Sequence, residues 1–192
     1  NPTNQGFAKT CNTGLMMANG DAILLNNDTE VQDGWLEALQ YCAYSSEDIG
    51  IVGPKLLYPS GLIQFGGGFR NFNAPKWFDH SYRMRPSDYG PANIAKDVLT
   101  VTGACMYIKR EVINKIGVLD PGYPMAFEDV DYCLRARKAG YRVRYCPESV
   151  LTHHESLTRG KVQGKRELES ARYFWEKWEN WFDNRSVTTT DG

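Results

Sequence analysis

The chain has 192 residues, a net charge of -1, 42% apolar residues and 23% charged residues. That is enough chain for one domain with a real core, and too much apolar side chain for disorder. The near-zero charge removes a global electrostatic case for nucleic acid or membrane binding, and no apolar run approaches the roughly 20 residues of a membrane span.

"NPTNQGFAKTCNTG" opens without Met, directly into a loop and helix, so we expect a fragment that lacks an N-terminal piece; no signal peptide is visible. Residues 8–19 read as a helix stopped at Gly20. Residues 22–26 read as a strand, and "NND" (26–28) sits where that strand leaves the sheet. Asp33 is expected to cap a helix whose Trp35, Leu36, Leu39 and Ala43 share a face. "IGIVGPKLLY" reads as a strand that Pro54 should push partly to an edge. "PSG" (59–61) is a turn, "LIQFGGGF" a hairpin partner, and 70–95 a long loop. The aromatic residues of 69–89, Phe69, Phe72, Trp77, Phe78, Tyr82 and Tyr89, are suited to stacking on sugars.

"KDVLTVTGACMYIKR" reads as two strand pieces broken at Gly103, and "REVINKIG" as a short helix closed by Gly117. Asp129 to Ala139 read as a helix with Val130, Cys133, Leu134 and Arg137 on one face and Gly140 as its stop. "YRVRYCP" is a strand, and "SVLTHHESLTRG" a short strand running into a polar loop. Residues 162–183 form a last helix with Phe174, Trp175, Trp178, Trp181 and Phe182 on a broad face. Docking on the rest of the chain is the plain reading of that face; a partner subunit or a membrane surface is the alternative. The five cysteines, Cys11, Cys42, Cys105, Cys133 and Cys146, form no CxxC pair and read as reduced core residues of a cytosolic protein. Early alternation of strands and helices points to an α/β fold around a parallel sheet, whose ligands bind beyond the carboxyl ends of strands.

Four polar clusters lie at element ends. "NNDTEV" places a carboxylate where it can meet a hard cation, or builds a simple turn. "FEDVDYCLRARKAG" crowds Glu128, Asp129 and Asp131 at a helix start, where acids complement the helix dipole or serve as a general base. "THHESLTRG" sets two histidines after a strand, one of which faces any site while the other faces away. "VTGACMY" breaks an apolar run at Gly103, a bulge or a backbone approached closely by a ligand.

Together, in order and spacing over residues 3–160, these stretches resemble an inverting family 2 glycosyltransferase. The resemblance is to the bacterial members that build surface polysaccharides. It implies the GT-A fold, a Rossmann-like three-layer sandwich with a mixed, mainly parallel sheet, here N-terminally truncated so that the first strand and nucleotide-base loop are missing. The catalytic domain would span 1–160, the aromatic helix 161–185 and a tail 186–192. The DxD motif of the family would fall on Asn26-Asn27-Asp28, with Asp28 as the main metal ligand and Asn for the first Asp. The late metal-binding His matches His153 better than His154, and the catalytic base matches Asp129, with Glu128 and Asp131 on the acceptor side. Asn4, Gly6, Asn12, Asn26, Asn27, Gly103, Ala104 and Arg159 would contact the donor, with Thr158 and Arg159 on a loop closing over the diphosphate.

The implied activity moves a sugar from a UDP- or dTDP-sugar to a hydroxyl of a saccharide or lipid-linked acceptor. It would use Mn²⁺ or Mg²⁺, in the cytoplasm or at the inner face of the cell membrane. A non-catalytic carbohydrate-binding or scaffolding domain of the same fold is the alternative. A dinucleotide-binding oxidoreductase is disfavoured, because "FGGGF" lacks the GxGxxG spacing and a following helix.

Overall fold

A computed structural model describes residues 6–71, 77–154 and 164–183. In chain order the elements are α1 (Phe7–Met17), β1 (Ala22–Leu25), β2 (Thr29–Val31), α2 (Trp35–Tyr44), β3 (Ile49–Leu57), β4 (Ile63–Phe65), β5 (Gly68–Asn71), β6 (Trp77–His80), β7 (Lys96–Asp97), β8 (Cys105–Ile108), α3 (Arg110–Ile116), α4 (Glu128–Lys138), β9 (Arg142–His153) and α5 (Gly164–Asp183). The polar stretch 155–163 and the tail 186–192 lie outside the described residues.

The main sheet runs β1-β8-β3-β9-β2, with β4 also beside β3 and β7 also beside β9. It is mixed, as expected. Its parallel share is smaller than expected: among the described ladders only β3–β9 is parallel. The reason is β8, which runs antiparallel between β1 and β3 and so separates two strands that point the same way.

All nine residues of β3 are buried, which requires cover on both faces. On one face Cys146 of β9 lies 3.5 Å from the Ala38 carbonyl of α2. On the other, Val101 fills the space over Gly53, where an added methyl would stand 2.5 Å from its Cβ. The Val101 amide in turn reaches Cys133 Sγ of α4. Helices therefore flank the sheet on both sides, and Leu39, Ile49, Ile51, Leu56, Met106 and Ile108 are sealed between them. Each such aliphatic side chain contributes about 1.5–3 kcal/mol by leaving water.

Several local expectations change. Pro54 is not on an edge. It lies in the central strand, in the gap between the β8 ladder, which pairs Val52, and the β4 ladder, which starts at Leu56; the register with β9 shifts beside it. Its missing N–H therefore costs no ladder bond on that flank. Asp33 makes no cap: Gly34, at φ 77, turns the chain left-handed into α2. Leu36 is 40% exposed rather than packed. The stretch 70–95 is not one long loop, since β5 and β6 pair in a two-stranded ribbon and residues 90–93 form a 3₁₀ turn. "YRVRYCP" and "SVLTHH" belong to one strand, β9.

The aromatic face of α5 is buried against the chain itself. Phe174, Trp175, Trp178 and Phe182 pack with Tyr123, Phe127 and Leu134 and with the half-buried Phe78. Arg70 of β5 stacks over both Trp175 and Phe182, with its guanidinium 5.1 and 4.9 Å from the two rings. This corrects the alternative of a subunit or membrane contact through that face. No helix among the described residues is long and apolar enough to cross a membrane.

Candidate functional site

Four chain segments meet at one end of the sheet. β1 ends at Leu25, and the Asn26 amide donates to the Ala104 carbonyl at 2.9 Å, which binds the strand exit to the Gly103–Ala104 segment. The Thr29 hydroxyl closes the Asn26–Asp28 turn on the Asn26 carbonyl at 2.7 Å. β2 then pairs with the end of β9, with Thr29 opposite His153. That register sets Asp28 beside His153, their Oδ1 and Nε2 atoms 3.2 Å apart.

The pair has an unusual property. Asp28 Oδ1 is buried and receives no hydrogen bond from the described residues, although Nε2 stands next to it. The surroundings of the imidazole explain why. Gln64, in β4 and 3% exposed, donates its amide N–H to the His153 carbonyl at 3.3 Å. Its Oε1 therefore faces His153 Nδ1, at 2.7 Å. A carbonyl oxygen only accepts, so in the neutral ring the proton is on Nδ1 and Nε2 presents a lone pair. Asn26 Nδ2 approaches the same Nε2 at 3.4 Å, consistent with that assignment. Two electron-pair donors, a carboxylate oxygen and an imidazole nitrogen, thus converge with no proton between them. An orphaned buried carboxylate oxygen is costly unless a cation completes it. The residues present fit a divalent metal, with mixed oxygen and nitrogen ligation. Among the described residues no group of three His, Cys, Asp or Glu side chains converges, so their share of such a site is this pair with Asn26 alongside.

Asp129 lies at the start of α4. Its Oδ2 accepts the Gly103 N–H at 2.8 Å, and its Oδ1 accepts the Val130 N–H at 2.8 Å. Neither Glu128 nor Asp129 caps the helix: the capping position is Phe127, at φ 70, preceded by Ala126 at φ 65. Two successive non-glycine residues in the left-handed region carry strain of about 1–3 kcal/mol each, which the packing around them must offset. Phe127 is held by Phe174 of α5, ring centroids 5.1 Å apart, and Met125 N–H by Ser170 at 3.0 Å. The close approach expected at Gly103 is therefore real, but its partners within the chain are the Asp129 carboxylate and Phe7. A methyl there would stand 3.0 Å from the Phe7 ring. His80 of β6 lies nearby, its Nδ1 3.3 Å from the Gln64 carbonyl and its ring edge-on to Phe65. Burial lowers its pKa, as does Arg83, against the opposing charges of Asp129 and Asp79.

Other expected site residues are placed elsewhere. Asn12 is buried, and both ends of its amide clamp Leu119, through Nδ2 to the carbonyl at 2.8 Å and Oδ1 to the amide at 2.9 Å. It fixes α1 to the segment before α4, with one N–H and one lone pair of its amide engaged there. Asp131 is fully buried and does not line an acceptor side: Arg135, Lys177, Trp178 and Tyr123 all point at it. His154 turns away to Glu30, at 2.9 Å, which settles which of the adjacent histidines faces Asp28. Gly6 starts α1 at φ 83, Asn27 is exposed at the tip of its turn, and Glu128 stands half-buried next to Asp129. Asn4, Phe72, Thr158 and Arg159 lie outside the described residues. Phe78, Tyr82 and Tyr89 are engaged within the chain, Phe78 with α5 and the tyrosines with each other. Sequence reasoning missed Gln64 and His80; the only signal for either was a polar residue in an otherwise apolar or aromatic run.

Residues 1–174 match the family described as "Glycosyltransferase like family 2". The chain belongs to glycosyltransferase family 2. Among relatives of this family 2 chain is the O-antigen biosynthesis protein RfbC of Myxococcus xanthus, 34% identical over 77% of the chain and 12% of that protein. Another is the N-acetylglucosaminyl-diphospho-decaprenol L-rhamnosyltransferase of Mycobacterium tuberculosis, 26% identical over 72% of the chain and 48% of that protein. The chain thus spans half or less of the length of these relatives. The fold is that of GT-A glycosyltransferases. The structure of GalNAc-T7 with UDP, GalNAc and Mn²⁺ superimposes with a TM-score of 0.69 at 16% identity, over 95% of the chain and 37% of GalNAc-T7. The mannosyltransferase PcManGT of Pyrobaculum calidifontis, in complex with GDP-Man and Mn²⁺, gives 0.55 at 15% identity, over 94% of the chain and 45% of PcManGT.

Proposed function

We propose that this family 2 chain carries the diphosphate-binding and base portion of an inverting hexosyltransferase. The enzyme would move a sugar from a UDP- or dTDP-sugar to a hydroxyl of a saccharide or lipid-linked acceptor, in cell-surface polysaccharide synthesis. The carrying observation is the proton-free pair, Asp28 Oδ1 and His153 Nε2, 3.2 Å apart at the carboxyl end of β1. The relatives' names and the Mn²⁺ in the similar structures support the same reading.

Asp28 and His153 would hold the cation, Mn²⁺ or Mg²⁺, which when bound neutralises the charge of the leaving diphosphate as a Lewis acid. Asp129 is the general base. Gly103 and Val130 N–H groups fix its carboxylate, so that it takes the acceptor hydroxyl's proton as that oxygen attacks the anomeric carbon. The bond from that carbon to the diphosphate oxygen breaks, the electron pair leaves with the diphosphate, and one displacement inverts the centre. The Gly103–Ala104 backbone, bonded on one side to Asp129 and on the other to Asn26, ties the base to the cation end.

Thermal unfolding with UDP, dTDP and GDP, each with Mn²⁺ and with chelator, tests the donor half. A metal-dependent rise in Tm with one nucleotide, lost in Asp28→Ala, is expected; no rise with any nucleotide would contradict donor binding by this chain. Asp129→Asn tests the base. Turnover in an active preparation should fall about 10²- to 10⁴-fold, with the nucleotide shift retained. Near-unchanged turnover would remove Asp129 from the role.

A further inference from the structure

Gln64 makes two bonds to a single residue. It grips His153 by the backbone, through Nε2 to the carbonyl at 3.3 Å, and by the ring, through Oε1 to Nδ1 at 2.7 Å. Its own main-chain carbonyl meets His80 Nδ1 at 3.3 Å. It is buried in β4, a strand whose other residues, Ile63 and Phe65, are core side chains. A buried amide in that position is not needed for packing, since an apolar side chain of the same length would fill the space without a desolvation cost. Its chemistry must be what the position uses.

We infer that Gln64 is the positioning residue of the cation site: it sets the tautomer and ring orientation of His153 so that Nε2 offers its lone pair toward Asp28 Oδ1. This rests on the reading of Asp28 and His153 as cation ligands. The logic is local. The main-chain carbonyl of His153 can only accept, which forces the Gln64 amide N–H toward it and the Gln64 oxygen toward Nδ1. That oxygen can only accept, which forces the imidazole proton onto Nδ1. Without Gln64 the isolated ring is free to place its proton on Nε2, where it would donate to Asp28 Oδ1 and close the pair as an ordinary hydrogen bond. The side chain thus keeps the carboxylate oxygen orphaned and available. Groups that hold a ligating histidine by its far nitrogen typically contribute 10- to 100-fold in metal affinity.

The test uses the full chain and two variants. Gln64→Met keeps length and volume but removes both bonds; Gln64→Glu keeps an acceptor at Nδ1. Tautomers are read from ¹⁵N shifts of His153 in the metal-free protein. Mn²⁺ affinity is read by calorimetry at a single pH, with Tm recorded for each protein. The expected result is an Nδ1–H ring in the unsubstituted chain and a shift toward Nε2–H in Gln64→Met. Mn²⁺ binding should weaken 10- to 100-fold in Gln64→Met and recover at least in part in Gln64→Glu. Unchanged tautomer and unchanged affinity in a folded Gln64→Met would overturn the inference. An equal loss in both variants would also overturn it, since the acceptor would then not matter. Failure of the underlying site reading looks different: the tautomer would still respond to Gln64→Met, while the unsubstituted chain bound no Mn²⁺.

Discussion

Asp28 at the exit of β1 and Asp131 in the first turn of α4 are both carboxylates with a buried oxygen, and their surroundings are opposite. Asp131 Oδ2 takes Arg135 Nε at 2.8 Å; its Oδ1 takes Trp178 Nε1 at 2.8 Å, Lys177 Nζ at 2.7 Å and the Tyr123 hydroxyl at 3.1 Å. Arg135 continues to the carbonyls of Ile116 and Val118. Lys177 and Trp178 come from α5 and Tyr123 from the segment before α4, so the donors tie both to that helix. Asp28 Oδ1 has no hydrogen-bond donor among the described residues, and its neighbour, as a neutral ring, offers a lone pair. A buried acid fully supplied with donors is a lock on the fold, and one left short is a place for something that is not protein. The two ends are also linked, because the lock holds α5 against Phe127, the residue that turns the chain into Asp129.

The comparison can be broken most directly at the lock. Asp131→Ala should cost about 3–5 kcal/mol of stability, because Lys177 and Arg135 are then left facing a hole. Chemical denaturation measures it, and a loss under about 1 kcal/mol would mean that α5 is held by aromatic packing alone. Asp28→Ala should behave the other way. Removing an unsatisfied buried oxygen should leave Tm unchanged or raise it by the equivalent of about 1 kcal/mol, while abolishing any Mn²⁺-dependent nucleotide shift. A large destabilisation would show that Asp28, too, serves the fold.

A smaller effect sharpens the α5 side. Burial alone would raise the pKa of Asp120, but bonds from Lys177 and the Gly122 N–H outweigh it and hold the carboxyl below its ordinary value. A lowered folded pKa contributes stability above the unfolded value, near 3.9, and that contribution is lost as pH falls through the folded one. Acid titration of stability should therefore lose a component below about pH 4 that Asp120→Asn lacks. An identical acid limb in the variant would contradict the pairing.

Much of this fold was legible where the signal is local. Alternating elements, the stop at Gly117 and the amphipathic face of α5 all follow from spacing within one segment. Pro54 misled because sequence shows the missing N–H but not the gap between β8 and β4 into which it falls. Asp131 misled for a related reason. Its acidic run reads like a site, and the indole that satisfies it lies 47 residues away on another element. Asn12 is the same case, with its partner Leu119 107 residues off. Asp28, Asp129 and His153 could be singled out as candidates because strand ends and helix starts can be located from pattern and matched to a family. Gln64 was not, because its meaning exists only once β4 is laid beside the end of β9.

The most direct test sets the adjacent histidines against each other. His153 faces Asp28, and His154, one residue on, pairs with Glu30 at the surface. Calorimetric titration with Mn²⁺ of the unsubstituted chain, His153→Ala and His154→Ala needs no knowledge of donor or acceptor. Loss of binding in His153→Ala with full binding in His154→Ala is the predicted result. Equal affinity in all three proteins, or a loss confined to His154→Ala, would contradict the account.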